Sequence, residues 1–347
     1  MELNAQRVSM TDVARIAGVS QKTVSRVVNN EPHVTGPVRD RVLAVIADLG
    51  FRPNAAARAL VTQRSRRIGM VTIGTTLHGP SAILDGVEHA ARAAGYYLSV
   101  VRTSENSPAE LQDAVDQLIA QGVDAIVISE PVDFGHQALR VPAGVEVLSF
   151  DFPNENHRPD ELVVGADEAG GARSATEHLL ALGHETVWHI SGPASWAATR
   201  RRIEGWRAAL EDADVAEPPI LEADWTPQGG YDAMAAILHR PGVTAVFAAN
   251  DQIAIGAMSA IQAAGLRVPE DISVVGFDDM PVAAFLSVPL TTVRQDFTEV
   301  TRLAMHRLIR TLEGHPPAER HRSVPAQLVT RSSTGPRNPE RRPVVAL

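Results

Sequence analysis

A chain of 347 residues with 44% hydrophobic and 21% charged side chains has ordinary globular chemistry and length for about two domains, which excludes a disordered chain. No run approaches the ~18 apolar residues of a bilayer-spanning helix, the first residues lack a secretory pattern, and the absence of cysteine removes disulfides, thiolate metal sites and thiol nucleophiles, so a soluble cytoplasmic protein is expected. The net charge of −9 is uneven: residues 1–67 carry 11 Arg or Lys against 5 Asp or Glu, a net of +6, while the remaining 280 carry 21 against 36, a net of −15, so a basic head that meets a polyanion precedes an acidic body.

Ser9 and Asp12 have the spacing of a capping box, and Gly18 is placed to stop the helix that follows, whose apolar stripe is Val13, Ile16 and Ala17. A second helix is predicted from Ser20 through Asn29, with Val24, Val27 and Val28 facing inward. A third opens at Thr35, tolerates Pro37 in its first turn, buries Val38, Val42, Val45, Ile46 and Leu49, and ends at Gly50. Three such helices fit either a helix-turn-helix or a small bundle with a solvated polar face; the net of +6 and the short Gly18-Val19 turn favour the former. There Gln21, Lys22 (the sole lysine) and Arg26 have the reach and donors for base edges, and Ser20, Thr23, Ser25 and Asn29 suit phosphate oxygens. The alanine-rich segment 54–61 is too short for a stable isolated helix and is expected as a disordered linker in the free protein.

From residue 68 the pattern changes. Strands are predicted at 68–73, 97–102, 125–129, 145–150, 161–164, 186–190, 245–248, 273–277 and 291–294, and helices at 81–94, 108–121, 170–182, 200–213, 229–239 and 252–264. The alternation implies parallel sheets flanked by helices in two lobes, near 68–165 and 166–290, with a ligand between the carboxyl ends of the strands. Asp151, Asn250 and Asp278 directly follow strands, and Arg202 is placed at the start of a helix. Two carboxylates, one guanidinium and one amide suit the hydroxyls of a neutral sugar better than a phosphate. Trp225 offers a flat apolar face to a sugar ring, and the 4% aromatic content argues against a purine held between rings. Each residue has a competing role: Asp278 as a helix cap, Arg200 to Arg202 as a solvated run, Trp225 as a core aromatic, and Leu77, Pro80 and Ile83 as a dimer contact. Enzymatic chemistry has no support, because His178, His184 and His189 lack the i,i+4 pairing of a zinc site, no Gly-rich loop with lysine follows a strand, and no G-x-S-x-G elbow occurs. No metal, cofactor or catalytic residue is expected.

The run Met10 to Ser20 (MTDVARIAGVS), followed by Thr23 to Asn29 (TVSRVVN), His33-Val34-Thr35 and Leu49 to Arg58, resembles the headpiece of the LacI/GalR family of transcription regulators. The body resembles that family's effector domain, a bilobal fold like the periplasmic sugar-binding proteins, to about residue 333; segments 178–184, 191–193, 249–252 and 272–279 are the clearest. The resemblance implies a small all-α helix-turn-helix DNA-binding head (1–52), a hinge helix and linker (53–67), an α/β bilobal effector-binding and dimerisation domain (68–333) and a flexible tail (334–347). It further implies that paired hinge helices enter the minor groove of a pseudo-palindromic operator with Leu60 as a wedge, and that His33, Asn54 and Ala57 join the DNA-facing set. Asp151, Arg202, Asn250 and Asp278 match positions that hold effector sugars. Leu77, His78, Pro80, Ile83, Trp225, Gln295 and Phe297 are similar to the pocket of galactoside-binding members, while Ile73, Gly165 and Glu130 depart from it. The expectation is therefore a repressor induced by a galactoside or related glycoside; the alternative is a repressor answering to a nucleoside, a purine or another sugar as co-repressor. A periplasmic sugar receptor, the rival outside that class, has no use for a basic head. The tail carries no leucine heptads, so the expected assembly is a homodimer, with no membrane partner.

Overall fold

The computed structural model describes residues 8–28, 32–51, 64–74, 77–103, 107–129, 139–150, 158 and 160–338. Asn29, Asn54, Ala57, Leu60, Glu130 and Asp151 lie outside them, as do the linker 54–61 and the end of the tail. The chain divides after Ser65 into two compact units, each taken by itself.

The first unit holds α1 (Met10–Ala17), α2 (Gln21–Val28) and α3 (Gly36–Leu49). The capping box is formed: Asp12 N–H donates to Ser9 Oγ at 3.3 Å and Ser9 N–H to Asp12 Oδ2 at 3.0 Å. Gly18 takes φ +63°, the left-handed turn that reverses the chain into α2. Val13, Ala14, Ala17, Val24, Val27, Val42 and Phe51 make the core. Ile16, placed on the buried stripe by periodicity, is half exposed, and Ala14 takes the inward position instead. Among the described residues α1 packs against α2 and α3, and it buries a face narrower than its apolar stripe.

The second unit contains two six-stranded sheets. In the first lobe lie β1 (Arg67–Ile73), α4 (His78–Ala93), β2 (Tyr97–Thr103), α5 (Pro108–Ala120), β3 (Ala125–Ser129), β4 (Glu146–Ser149) and β5 (Leu162–Ala166). The second lobe holds α6 (Glu168–Ala181), β6 (Trp188–Ser191), α7 (Ala197–Asp212), β7 (Leu221–Glu222), α8 (Pro227–Ala235), β8 (Ala245–Ala248), α9 (Asp251–Ala263), β9 (Ser273–Phe277), a 3-10 turn (Pro281–Phe285) and β10 (Thr291–Arg294). The chain then returns: α10 (Phe297–Leu312) and β11 (His321–Val324) join the first lobe, and β12 (Gln327–Val329) the second. Sheet orders are β11-β5-β4-β3-β1-β2 and β12-β10-β9-β8-β6-β7. Every pair is parallel except β10 with β12. Parallel strands are covered on both faces, which is why Ala125–Ser129 and Ser273–Phe277 are buried throughout.

The two lobes are thus not contiguous blocks. The amphipathic helix α10 was not anticipated, nor were β7, β11 and β12; Val300, Ala304, Met305 and Leu308 of α10 pack with Ile68, Val127 and Leu148 in the first lobe's core. Element ends also shift. β5 runs two residues past Val164, α4 begins at His78 rather than Ser81, and α7 begins at Ala197, so Arg202 sits in its second turn and not at its start. Residues 334–337, assigned to a flexible tail, are instead bonded to the second lobe: Thr334 to His178 at 3.0 Å, Gly335 C=O to His184 Nε2 at 3.2 Å, and Arg337 N–H to Leu182 C=O at 3.0 Å. Among the described residues no helix is long and apolar enough to cross a membrane.

Candidate functional site

In the head, α2 presents Gln21 and Lys22 as exposed residues at its N-terminus, where helix N–H groups favour an anion. Ser20 is engaged with its own helix: Thr23 N–H donates to Ser20 Oγ at 3.1 Å, and the two hydroxyls lie 2.9 Å apart. Ser25 and Arg26 are half-buried, and His33 is exposed in the turn before α3.

The second unit has a cavity of about 140 Å³ between the two sheets, of the order that holds a single benzene-sized ring (~150 Å³). Leu77, Pro80, Ile83, Arg202, Trp225, Asn250, Asp278, Gln295 and Phe297 all line it. His78 does not line it but meets Phe297 edge-on, with ring centroids 5.7 Å apart. The crossings between lobes run through the wall, with Gly165, Ala166 and Glu168 on one and Gln295 and Phe297 on another.

Arg202 is the centre of the polar wall. Its side chain is 5% exposed; Nη2 donates to Glu168 Oε1 at 2.9 Å and to Asp278 Oδ1 at 3.4 Å, and Nη1 donates to Ala249 C=O. The guanidinium lies 4.0 Å from the Phe277 ring and 5.6 Å from that of Trp225. The solvated-run alternative therefore fails for Arg202, while Arg201 pairs with Glu204 at 3.0 Å. Burial pushes the Asp278 and Glu168 carboxyls up, and Arg202 opposes the shift in both.

Asp278 is not a helix cap. Gln295 Nε2 donates to its Oδ1 at 2.7 Å, and Asp278 and Asp279 take φ of +102° and +52°. Trp225 has φ +68°. Such conformations in residues with a Cβ are strained by about 1–3 kcal/mol each; Trp225 and Asp278 carry theirs at the cavity wall, while Arg66 and Asp214 carry theirs outside it. Trp225 serves two roles: its ring belongs to the second lobe's core and also faces the cavity, and it lies against Trp196 with centroids 5.2 Å apart. Gly192 makes this possible, since a Cβ there would stand 2.2 Å from the Trp225 ring. Asn250 also has two roles: Oδ1 caps α9 by accepting from Ile253 N–H at 2.7 Å, and Nδ2 donates to Trp225 C=O at 3.3 Å. Leu77, Pro80 and Ile83 form the apolar wall at the start of α4.

Glu168, Trp196, Phe150 and Ser129 line the cavity without having been found from the sequence. Phe150 and Ser129 lie at the carboxyl ends of strands and Glu168 two residues past the end of β5; it was missed because the strand predicted from the sequence stops at Val164, four residues short of it. Trp196 had no comparable signal. Four aromatic rings gather here out of 8 Phe, 4 Trp and 3 Tyr, so low aromatic content says nothing about the cavity.

The family profile described as bacterial regulatory proteins, lacI family, matches residues 9–54, and that of a periplasmic binding protein-like domain matches residues 176–334. The chain is 35% identical to the lactose operon repressor of Escherichia coli over 94% of its own length and 91% of that protein's. It is 30% identical to the HTH-type transcriptional repressor PurR of Vibrio campbellii over 94% of its length and 98% of that protein's. A crystal structure of the lac repressor dimer bound to operator and the anti-inducer ONPF superposes with a TM-score of 0.84 at 33% identity, covering 95% of this chain and 100% of that one.

Proposed function

The chain belongs to the LacI family of bacterial regulatory proteins, and from that footing we propose that it is a cytoplasmic, dimeric transcriptional repressor whose grip on a pseudo-palindromic operator is loosened by a small neutral sugar, a galactoside or related glycoside. The observation that carries the ligand half is the cavity wall: Arg202 held between Glu168 and Asp278, with Asn250, Gln295 and the Trp225 ring beside it and Phe297 lining the same cavity. Carboxylate oxygens accept from sugar hydroxyls, the amides donate and accept, and the rings cover the C–H face.

For the DNA half, Gln21 and Lys22 at the start of α2 read base edges with Arg26, while Ser20, Thr23, Ser25, Asn29 and His33 meet the backbone. Asn54, Ala57 and Leu60 act from the hinge segment in the minor groove. The cavity is walled by segments that cross between the lobes, so a ligand touching Phe297 and Leu77 on one side and Arg202 and Asn250 on the other biases the angle between them. That change, passed to the hinge segments, lowers DNA affinity. Linkage requires operator to weaken sugar binding by the same factor.

A purine or nucleoside acting as co-repressor is the second reading, favoured by the four rings at the cavity. Trp196 and Trp225 touch one another, which leaves no slot between them for a planar base. The test is fluorescence anisotropy on DNA selected from random sequence, titrated with β-galactosides, other sugars and nucleosides. Falling affinity with a glycoside supports the first reading, and rising affinity with a purine supports the second. DNA binding unaffected by every compound removes the switch.

A further inference from the structure

Glu168 opens α6 directly after its cap, Asp167, at the point where the chain leaves the first sheet. Its carboxylate stands on one side of Arg202 Nη2 and that of Asp278 on the other, at 2.9 and 3.4 Å. Nη1 donates to Ala249 C=O, so both terminal nitrogens are engaged by the protein itself, while Nε is buried with no hydrogen-bond partner. Arg202 is the only Lys or Arg among the described residues lining the cavity. The neighbouring cations are engaged elsewhere: Arg201 with Glu204, and Arg294 and Arg331 with Asp279. Among the described residues, one positive and two negative charges therefore line the cavity. No bond among the described residues uses Glu168 Oε2.

We propose that Glu168 is the charge filter of this cavity: it neutralises Arg202, admits an uncharged sugar, and rejects uronates and sugar phosphates. The proposal rests on the carbohydrate reading and specifies its ligand class. An anionic ligand pairing with Arg202 through Nη2 must displace Glu168 or Asp278, leaving a buried carboxylate without its cation, and wherever it meets the guanidinium it sits beside a like charge. A hydroxyl meets neither obstacle, because it donates to a carboxylate already paired on its other side.

Calorimetric titration of the full-length protein tests this, with D-galactose, D-glucose and their methyl glycosides set beside D-galacturonate, D-glucuronate and the two hexose 6-phosphates. In the wild type, the neutral compound that binds should outrank its anionic counterparts by about 100-fold or more. Glu168→Gln keeps the shape and one acceptor but removes the charge. The gap should then shrink by about tenfold or more, mostly through tighter anion binding. Glu204→Gln removes the same charge outside the cavity and should leave the gap unchanged. An equal gap in wild type and Glu168→Gln overturns the filter while sparing the carbohydrate reading. Wild type binding an anion as tightly as its neutral partner also overturns it, with no variant needed. Binding of no saccharide by either protein overturns the carbohydrate reading and the filter with it.

Discussion

Asp251 is the buried group whose replacement has the clearest consequence. It opens α9 beside Asn250 and is fully buried, with Thr292 Oγ1 2.5 Å from Oδ1 and Met280 N–H donating to Oδ2 at 2.7 Å. The second bond ties it to the turn that carries Asp278 into the cavity. Burial, followed by repulsion from Asp278 and Asp279, raises its pKa from 3.8 to about 8. Between those two values the folded protein keeps a proton that the unfolded chain releases. This group's contribution to stability therefore falls as pH rises from 3.8 to about 8, and is level below and above that window. At about 1.4 kcal/mol per pH unit, the loss between pH 5 and pH 7 is about 3 kcal/mol. Asp251→Asn imitates the protonated acid, its amide donating to Thr292 and its oxygen accepting from Met280, and it has no proton to lose. Urea unfolding followed by tryptophan fluorescence suits the measurement, since all four tryptophans (Trp188, Trp196, Trp206 and Trp225) lie in the second lobe. Relative to wild type, the variant should gain about 3 kcal/mol from pH 5 to pH 7. A wild-type-to-variant difference that stays flat across this range would show Asp251 ionised in the folded state and refute the reasoning.

Gly192→Ala places a methyl 2.2 Å from the Trp225 ring and should push the indole off the cavity wall, costing about 1–3 kcal/mol of stability and most of the ligand affinity; calorimetry showing unchanged affinity would refute the role given to Gly192. Lys22→Ala should lower the slope of log affinity against log salt by about 1 if the side chain contacts a phosphate, or relax preference at one base pair by about 1–3 kcal/mol if it reads a base; anisotropy on two sequences at several salt concentrations separates these, and neither effect would take Lys22 out of the interface. Leu60→Gly should greatly weaken operator binding while leaving sugar binding intact, and undiminished DNA affinity would dispose of the proposed wedge.

How much of this was legible in the sequence depended on the range of the signal. The Ser9–Asp12 box, the stops at Gly18 and Gly50, and the nine apolar strands read from the sequence rest on bonds and periodicities within a few residues; the caps stand where the pattern put them, and the strands do so apart from shifts of one or two residues at their ends. Asn250 and Asp278 were legible as strand-end groups, because parallel strands deliver whatever follows them to one edge of the sheet. Ile16 shows the limit of periodicity: a stripe says which residues share a face, not how much of that face a small head can cover. The return of α10 and β11 to the first lobe had no local trace, since Met305 and Leu308 are apolar at helical spacing whichever core receives them. The same holds for Glu168, an unremarked acid in the chain that acquires its place only through Arg202, 34 residues away, and for Asp278, which bonds to Arg202 and Gln295 rather than capping a helix. Helix stops, strand runs and the uneven charge were determined by the sequence alone, because caps, periods and charge counts act through the chain itself. The charge balance of the cavity was decided by tertiary structure, because an ion pair exists only once folding brings its partners within reach.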